Sequence, residues 1–502
     1  MKKLIDIINL LKDKDLLADC VNLDSNTIVE DITYDSREVK KGCLFFCKGS
    51  AFKKQYLLSS FENGAVAYVS EKDYNLNVPT VIVKDIRKSM AIVAAYFFDY
   101  PDKKLKIIGV TGTKGKTTTV KFLKSIFDVY LYKNNKKPCG IISSIDIYDG
   151  ISDTPAKLTT PEAITLYRHL SNAYNSGLEF VILEVSSQAL KYDRVTGVKF
   201  NMGAFLNIGE DHISEKEHPN FEDYLYSKLK LACQSENFIY NLDTDCLDTV
   251  KKEIEKSKTK AKTFSFDNDK ADIYAKNIRH KELITNFTAI FENHENDFSI
   301  NEPGNYNVEN ALCAIYISLF FGADIKSIQK GLFDARVEGR NNILVSNDKK
   351  IVVWVSYAHN AISFEKSFET IEEIYKDYKI ISVYGAPGDK AKGRLFDLAD
   401  IGAKNSDIAI FVPDDPGSKP QSEIAEKMTE VAKAYTCEIE SYENREDGIK
   451  SAFRHAENND KTLLFLAGKG IDTYDYVKGE YKEIESDLSI ARRYLKNYNE
   501  NL

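Results

Sequence analysis

The chain has 502 residues, 43 % of them hydrophobic, and a formal charge of −8. At roughly 150 residues per domain this is room for about three domains with ordinary cores, and the acidic balance argues against a nucleic-acid binder, which needs a basic face. No stretch approaches the ~18 uncharged apolar residues of a membrane span, and the eight cysteines form no C-x-x-C pair, so buried free thiols in a reducing cytoplasm are expected and a zinc site is not.

The opening "MKKLIDIINLLKDKDLLADC" places aspartates among its apolar residues, which reads as an amphipathic helix and not a signal peptide. Short apolar runs follow, including Leu44 to Cys47, Val66 to Val69 and Val78 to Val83. They predict a small α/β unit over residues 1–105, ending at the charged, proline-marked "DYPDKKLK". From 106 to 335, "KIIGV", "FVILEVS" and "MGAFLNI" alternate with helix-period segments, the pattern of parallel βαβ units. "KNNKK", Lys133 to Lys137, reads as a solvated loop. Residues 235–305 are more polar and predict an antiparallel extension. A second alternating set over 336–502, "KIVVWVSYA", "KIISVYGA", "DIAIFVP" and "TLLFLAG", predicts a third, Rossmann-like domain of four strands.

The stretch "IIGVTGTKGKTTTVKFLKSI", Ile107 to Ile126, carries the clearest chemistry. A strand ends in a loop holding Gly109, Gly112 and Gly115, and a helix begins near Lys116. Glycines let backbone N–H groups close on an anion, and the helix adds its positive end. Lys116 supplies a full charge for phosphate, and Thr117 a hydroxyl for Mg²⁺. Val110 stands where the general phosphate-loop pattern wants a glycine, leaving the shorter Gly112-Thr113-Lys114-Gly115-Lys116-Thr117. Further on, Glu184 ends a strand and suits either Mg²⁺ or solvent. His212, just after a strand end, could be a metal ligand, a general base or a capping residue. Lys228 lies in a helix-period segment and by itself reads as surface.

"GTKGKTTT", "LTTPE" (Leu158 to Glu162), "EVSSQAL" (Glu184 to Leu190), "NIGEDH" (Asn207 to His212), "YSKLKL" (Tyr226 to Leu231), "NYNVENALCA" (Asn305 to Ala314), "YAHN" (Tyr357 to Asn360) and "AGKG" (Ala467 to Gly470) occur in this order. As an ordered set they resemble the Mur ligases of peptidoglycan synthesis, MurE type, and "YDSREVKKGCLFFCKG" is similar to that type's uridine-binding domain. The resemblance spans nearly the whole chain. It implies three domains: 1–105 for UDP-MurNAc-dipeptide, 106–335 for ATP, and 336–502 for the amino acid. It also implies a reaction. ATP converts the γ-carboxylate of D-Glu in UDP-MurNAc-L-Ala-D-Glu to an acyl phosphate, which an incoming amine then attacks. Both steps crowd anions, so cations must neutralise them.

The same resemblance implies roles. Lys116 sits on the phosphates; Thr117, Glu184, His212 and Lys228 serve Mg²⁺, with Lys228 carrying a CO₂-derived carbamate. Gly112, Thr113, Lys114, Gly115, Asn307, Asn310, Arg340 and His359 fall on the nucleotide side. Ser36, Lys48, Gly49 and Ser50 match uridine-side contacts, and Thr159, Thr160, Ser186 and Arg194 match contacts of the muramoyl-dipeptide. Arg394 could hold the α-carboxylate of the incoming amino acid. The expected enzyme is a cytoplasmic monomer acting on small molecules, with no nucleic-acid partner and no membrane span.

Two departures matter. Ser356 replaces an aspartate usual before "YAH". The loop Asp414-Asp415-Pro416-Gly417 lacks the arginine that diaminopimelate-adding members carry, and Asp472 replaces their glutamate. Acids suit the distal ammonium of lysine, so L-lysine is the expected substrate. A diaminopimelate-adding enzyme, a folylpolyglutamate-like amide ligase, and a nucleotide-binding protein with little ligase activity are the alternatives.

Overall fold

Leu4, Ile7, Ile8 and Leu11 recur at helical spacing, and all four are buried along one side of the helix Leu4–Asp13. The computed structural model describes every residue apart from 25, 50–51, 212, 215–216, 282–283, 338–340, 390–392 and 501. By its internal contacts the chain forms two units. The first comprises Met1–Gly112, Phe127–Asn207 and Leu225–Thr263; the second comprises Thr113–Ile126, Ile208–Tyr224 and Phe264–Leu502.

In the first unit a five-stranded sheet runs in the order Leu17–Val21, Thr80–Val83, Ala65–Ser70, Cys43–Phe46, Asp31–Thr33. The last four are parallel, and Leu17–Val21 is antiparallel to its neighbour. A second sheet centres on Lys106–Thr111, with Phe180–Glu184 and Phe200–Phe205 parallel on either side. Apart from Lys106 and Asn201 these three strands are buried throughout, as continuous apolar runs in a parallel sheet should be. Gly109 keeps the strand close to its neighbour: a β-carbon there would lie 2.7 Å from the Phe200 ring. Gly112 and Glu184 thereby sit at the carboxyl ends of adjacent strands of the first unit.

In the second unit, Ile273–Lys281, Ile284–Phe291 and His294–Ile300 form the antiparallel meander expected for this region. Ser235–Asn241 and Lys260–Ser265, which the same expectation covered, instead run parallel to their described neighbours. The C-terminal sheet has the order Asn342–Val345, Ile351–Ser356, Thr462–Ala467, Lys379–Tyr384, Ile408–Phe411, Glu438–Ser441. It holds two strands more than the four expected. Both are edge strands, exposed or half-buried along their length, so neither shows the apolar run that marks a central strand. Alternate residues of Ile351–Ser356 feed two cores. Val352 and Trp354 join Phe364 and Phe465, while Ile351, Val353 and Val355 join Phe453 and Leu488. The sheet is therefore covered on both faces.

The cysteine expectation holds in part. All eight are free thiols, and Cys43, Cys47, Cys139 and Cys313 are buried, but Cys233 and Cys246 are exposed. Among the described residues no helix is long and apolar enough to cross a membrane.

A buried polar cluster ties the segment after residues 338–340 to the rest of the second unit. Asn341 donates from Nδ2 to Glu302 Oε2 at 3.0 Å and accepts from the Trp354 indole N–H at 3.2 Å. Burial raises the Glu302 carboxyl from 4.5 to about 7. For a carboxyl raised in the fold, the protonated form is favoured. Its stabilising contribution is full below pH 4.5 and lost as pH rises through 7. Glu302→Gln should therefore leave stability unchanged near pH 4 and raise it at pH 8 by up to ~3 kcal/mol, as read by the shift in urea midpoint at the two pH values.

Candidate active site

The site residues are built from strand ends and helix starts. At the end of Phe180–Glu184 the buried Glu184 carboxylate accepts from the Ser144 amide at 3.0 Å and its hydroxyl at 3.2 Å. The Thr160 hydroxyl donates to the Glu184 carbonyl at 2.8 Å and accepts from the Ser186 amide at 3.0 Å. Ser186 caps the short helix Ser187–Lys191. Arg194 reaches the Thr160 carbonyl through Nη1 at 3.1 Å and approaches Glu162 Oε1 through Nε at 3.0 Å. Lys48 pairs with the other Glu162 oxygen at 2.7 Å and stands 4.9 Å from the Tyr34 ring centre. Lys48, Glu162, Arg194, Thr160, Ser186 and Glu184 thus form one connected network in the first unit. Ser36 and Thr159 are half-buried and add no side-chain bond to it among the described contacts. Gly49 is exposed, with open space around its α-carbon.

Lys228 is not the surface residue its helix period suggests. It is buried, and its Nζ donates to the Gly112 carbonyl at 2.8 Å. The sequence period of "YLYSKLKLA" hides this, because Lys228 and Lys230 are alike in sequence and differ only in which way the helix turns them.

In the second unit the phosphate loop is held from several sides. The Thr113 hydroxyl lies 3.1 Å from the Tyr224 hydroxyl and accepts from the Gly209 amide at 3.1 Å. The Lys116 ammonium folds back onto the Thr113 carbonyl at 3.1 Å. The helix Lys116–Lys133 starts where expected, and Thr117 is buried in its first turn. Of the three glycines, Gly115 takes the positive φ, +81°; Gly109 serves close packing instead. A β-carbon on Gly115 would lie 2.1 Å from Asn310 Oδ1. Asn310 also accepts from the Thr119 hydroxyl and donates to Asn307, which donates to the Pro303 carbonyl at 2.7 Å. Both asparagine side chains therefore brace the loop and its helix.

Asp211 collects three partners: Asn360 Nδ2 at 2.7 Å, Arg394 Nη2 at 3.0 Å and Lys114 Nζ at 3.5 Å. His359 is half-buried beside them and bonds through Nδ1 to the Tyr357 carbonyl. Burial, with Lys114 and Arg394 adding to it, holds its imidazole well below the ordinary histidine range, so it is neutral at pH 7. Ser356 is buried, and its hydroxyl accepts from the Ala358 amide at 3.2 Å. The position that lacks its usual aspartate is thus closed into a local turn.

Asp414 and Asp415 lie beyond Ile408–Phe411, at the carboxyl edge of the C-terminal sheet. Asp415 Oδ1 accepts from the Lys469 ammonium at 2.6 Å, and Lys469 also pairs with Asp475 at 3.0 Å. Asp472 is half-buried, and its amide donates to the Lys469 carbonyl at 2.8 Å. Ser50, His212 and Arg340 lie outside the described residues.

The structure adds Ser144, Glu162, Asp211 and Lys469 to the candidates named from sequence. Glu162, Asp211 and Lys469 sit inside "LTTPE", "NIGEDH" and "AGKG", so their signal was present. Ser144 carries none, since a serine in a loop 40 residues from Glu184 is ordinary.

The Mur ligase middle domain matches residues 110–318, and the Mur ligase, glutamate ligase domain matches residues 339–470. The UDP-N-acetylmuramoyl-L-alanyl-D-glutamate–L-lysine ligase of Streptococcus pneumoniae serotype 4 is 34 % identical over 503 residues, 99 % of this chain and 100 % of the relative. Among solved structures, a UDP-N-acetylmuramoyl-L-alanyl-D-glutamate–2,6-diaminopimelate ligase aligns with TM-score 0.64 at 20 % identity, covering 95 % of this chain and 97 % of its own. MurF from Acinetobacter baumannii aligns with TM-score 0.67 at 17 % identity, covering 93 % and 94 %. These two share the three-domain α/β fold. With both family domains matched in order and a relative this similar along its whole length, the chain belongs to the Mur ligase family.

Proposed function

We propose that this chain is the ATP-dependent ligase that joins L-lysine to the D-glutamate of UDP-MurNAc-L-Ala-D-Glu, releasing ADP and phosphate. The observation that carries the choice of amino acid is the loop Asp414-Asp415-Pro416-Gly417, acidic and without an arginine. The full-length similarity to lysine-adding relatives supports the same choice. It also weighs against a folylpolyglutamate-like substrate, because the match includes the N-terminal 105 residues.

The division into 1–105 for the uridine nucleotide, 106–335 for ATP and 336–502 for the amino acid belongs to this reading, as do a monomeric state and a cytoplasmic location. Lys116, the Gly112–Gly115 backbone and the start of the Lys116 helix bind the phosphates of ATP. The left-handed turn at Gly115, where Asn310 Oδ1 takes the space of a β-carbon, opens directly into the helix at Lys116, and a glycine turn before a helix start suits an anion on backbone amides. Thr117 and Glu184 are hard oxygen donors that fit Mg²⁺. With His212 and Lys228 they would hold the two ions. When bound, Mg²⁺ offsets the charge that accumulates between carboxylate and γ-phosphate. The Lys48–Glu162–Arg194 set, two half-buried cations on a buried carboxylate, fixes both cations where a pyrophosphate or carboxylate is to be gripped. Ser186 offers a hydroxyl beside it, and the buried Thr160, bonded to the Glu184 carbonyl and the Ser186 amide, holds that turn in place. Asn307 and Asn310 act on ATP by bracing the loop. Lys114, His359 and Arg394 gather around Asp211, and a neutral His359, whose Nδ1–H goes to the Tyr357 carbonyl, can accept a hydrogen bond at Nε2 without adding charge.

Lys228 fits a metal only in altered form, because an ammonium repels Mg²⁺. The neutral amine attacks CO₂, an N–C bond forms and one proton leaves, giving an anionic carbamate with carboxylate-like oxygens. Burial is the setting in which a lysine most readily gives up its proton.

Phosphate release should depend on ATP, UDP-MurNAc-L-Ala-D-Glu and an amino acid together. L-Lysine should be used well, ornithine less and meso-diaminopimelate poorly; equal use of diaminopimelate would overturn the reading of the loop and leave the ligase assignment standing. Lys116→Ala should lose roughly 10²-fold or more in turnover, since the transferred phosphoryl group loses its fixed cation. Lys228→Ala should be inactive and regain part of its rate with formate or acetate, and intact-mass measurement of the Mg²⁺-loaded wild-type enzyme should show the added CO₂.

A further inference from the structure

Lys469 is buried in the turn after Thr462–Ala467, and its ammonium meets three carboxylates. It lies 2.6 Å from Asp415 Oδ1, 3.0 Å from Asp475 Oδ1 and 3.9 Å from Asp414 Oδ1. It also donates to the Tyr474 carbonyl at 3.0 Å. Around it the two nearer acids exchange bonds. The Asp415 amide donates to Asp475 Oδ1 at 2.6 Å, and the Tyr476 amide donates to Asp415 Oδ1 at 3.0 Å. The backbone continues the clamp: the Gly417 amide donates to the Tyr476 carbonyl at 2.9 Å, and the Lys478 amide to the Gly417 carbonyl at 2.6 Å. Asp415 itself has φ +50°, a left-handed conformation that a non-glycine residue holds only when its surroundings enforce it.

We infer that Lys469 is a positioning residue for amino-acid selection: it binds Asp415 and Asp475, locks the loop 414–417 to the hairpin Tyr474–Glu483, and leaves Asp414 as the carboxylate for the side-chain amine of the incoming amino acid. The inference rests on the lysine-ligase reading and changes its detail. Asp415 is set apart from Asp414 because its Oδ1 is already shared by the Lys469 ammonium and the Tyr476 amide, so much of its charge is spent within the cluster. Asp414 is different. Among the described residues its ion pairing is the single 3.9 Å approach of Lys469, so its acceptor capacity is largely unspent. It is also wedged in place. A β-carbon on Gly468 would lie 2.5 Å from Asp414 Oδ2, and one on Gly385 would lie 3.0 Å from the Asp414 β-carbon. Those two glycines follow Thr462–Ala467 and Lys379–Tyr384, neighbouring strands whose flanking connections place helices on opposite faces. Such a switch point is where open α/β sheets receive ligands.

Burial opposes charge on both sides of this cluster. Asp414 is pushed up by burial, with Lys469 and Arg445 drawing it back, whereas Lys469 is held charged well above the ordinary lysine range by Asp414, Asp475 and Asp415. Removing the ammonium would leave the half-buried Asp415 beside the buried Asp475 as adjacent like charges, and the loop carrying Asp414 would move away from its strand end.

Steady-state kinetics on the full-length enzyme with UDP-MurNAc-L-Ala-D-Glu, ATP and L-lysine test this. Lys469→Met should raise KM for L-lysine roughly tenfold or more, the scale of a small misplacement in a binding group, with KM for ATP nearly unchanged. Lys469→Arg should stay near wild type, because it keeps the charge. Lys469→Met/Asp415→Asn should recover part of the loss, because the uncompensated carboxylate leaves with the ammonium; it carries the comparison if the single variant does not fold. An unchanged KM for lysine in Lys469→Met overturns the inference. So does a Lys469→Arg enzyme as impaired as Lys469→Met, or a parallel rise in both KM values. Wild-type enzyme that releases no phosphate with L-lysine would instead fail the underlying functional reading, before any variant is compared.

Discussion

Gly115 has no room for a side chain, and the arrangement around the phosphate loop follows from that contact. Its φ of +81° turns the backbone so that the next helix begins at Lys116, and Asn310 Oδ1 occupies the space a β-carbon would need. The bond from Thr119 to Asn310, and from Asn310 to Asn307, then ties the first turn of that helix to the helix Asn305–Phe320. A loop meant to gather backbone amides about an anion cannot also pack its own core, so neighbours must supply its rigidity. Asparagines do this well, because one amide group both donates and accepts.

Buried charge is the second recurring device. Lys48–Glu162–Arg194, Lys114–Asp211–Arg394, Lys469 among three aspartates, and Arg445 with Asp487 at 2.6 Å are each mostly hidden from solvent. Such pairs are weak contributors to stability, since desolvation cancels much of their attraction. Their value lies in direction. Each holds a charged group in one fixed direction, so that a charged partner can be met without reorganisation. That is the economy expected of an enzyme that must bring a carboxylate and a triphosphate together.

Ser356 shows how a departure from a family pattern can be absorbed. A serine there lacks charge, but its hydroxyl accepts the Ala358 amide and keeps the turn into the helix Ala361–Ile374. The Asn360 side chain starts that helix and also reaches Asp211. Local geometry after the strand therefore does not depend on an aspartate.

The sequence by itself determined the architecture and the motif order. Continuous apolar runs such as "KIIGV" and "TLLFLAG" can be buried only on both faces of a parallel sheet, and a glycine-rich turn before a helix has few uses other than anion binding. It could not show the edge strands Asn342–Val345 and Glu438–Ser441, whose residues are only half-buried or exposed and form no apolar run. Helical period did not separate Lys228 from Lys230, which only the family resemblance told apart, and nothing in the sequence separated Asp414 from Asp415. Neighbours of the same type in sequence differ only in what surrounds them once the chain has folded. Tertiary structure alone turned Lys228 inward to the Gly112 carbonyl and brought Lys469 onto Asp415 across 54 residues. Burial and pairing of charge are long-range properties, set by packing between segments that no local pattern joins.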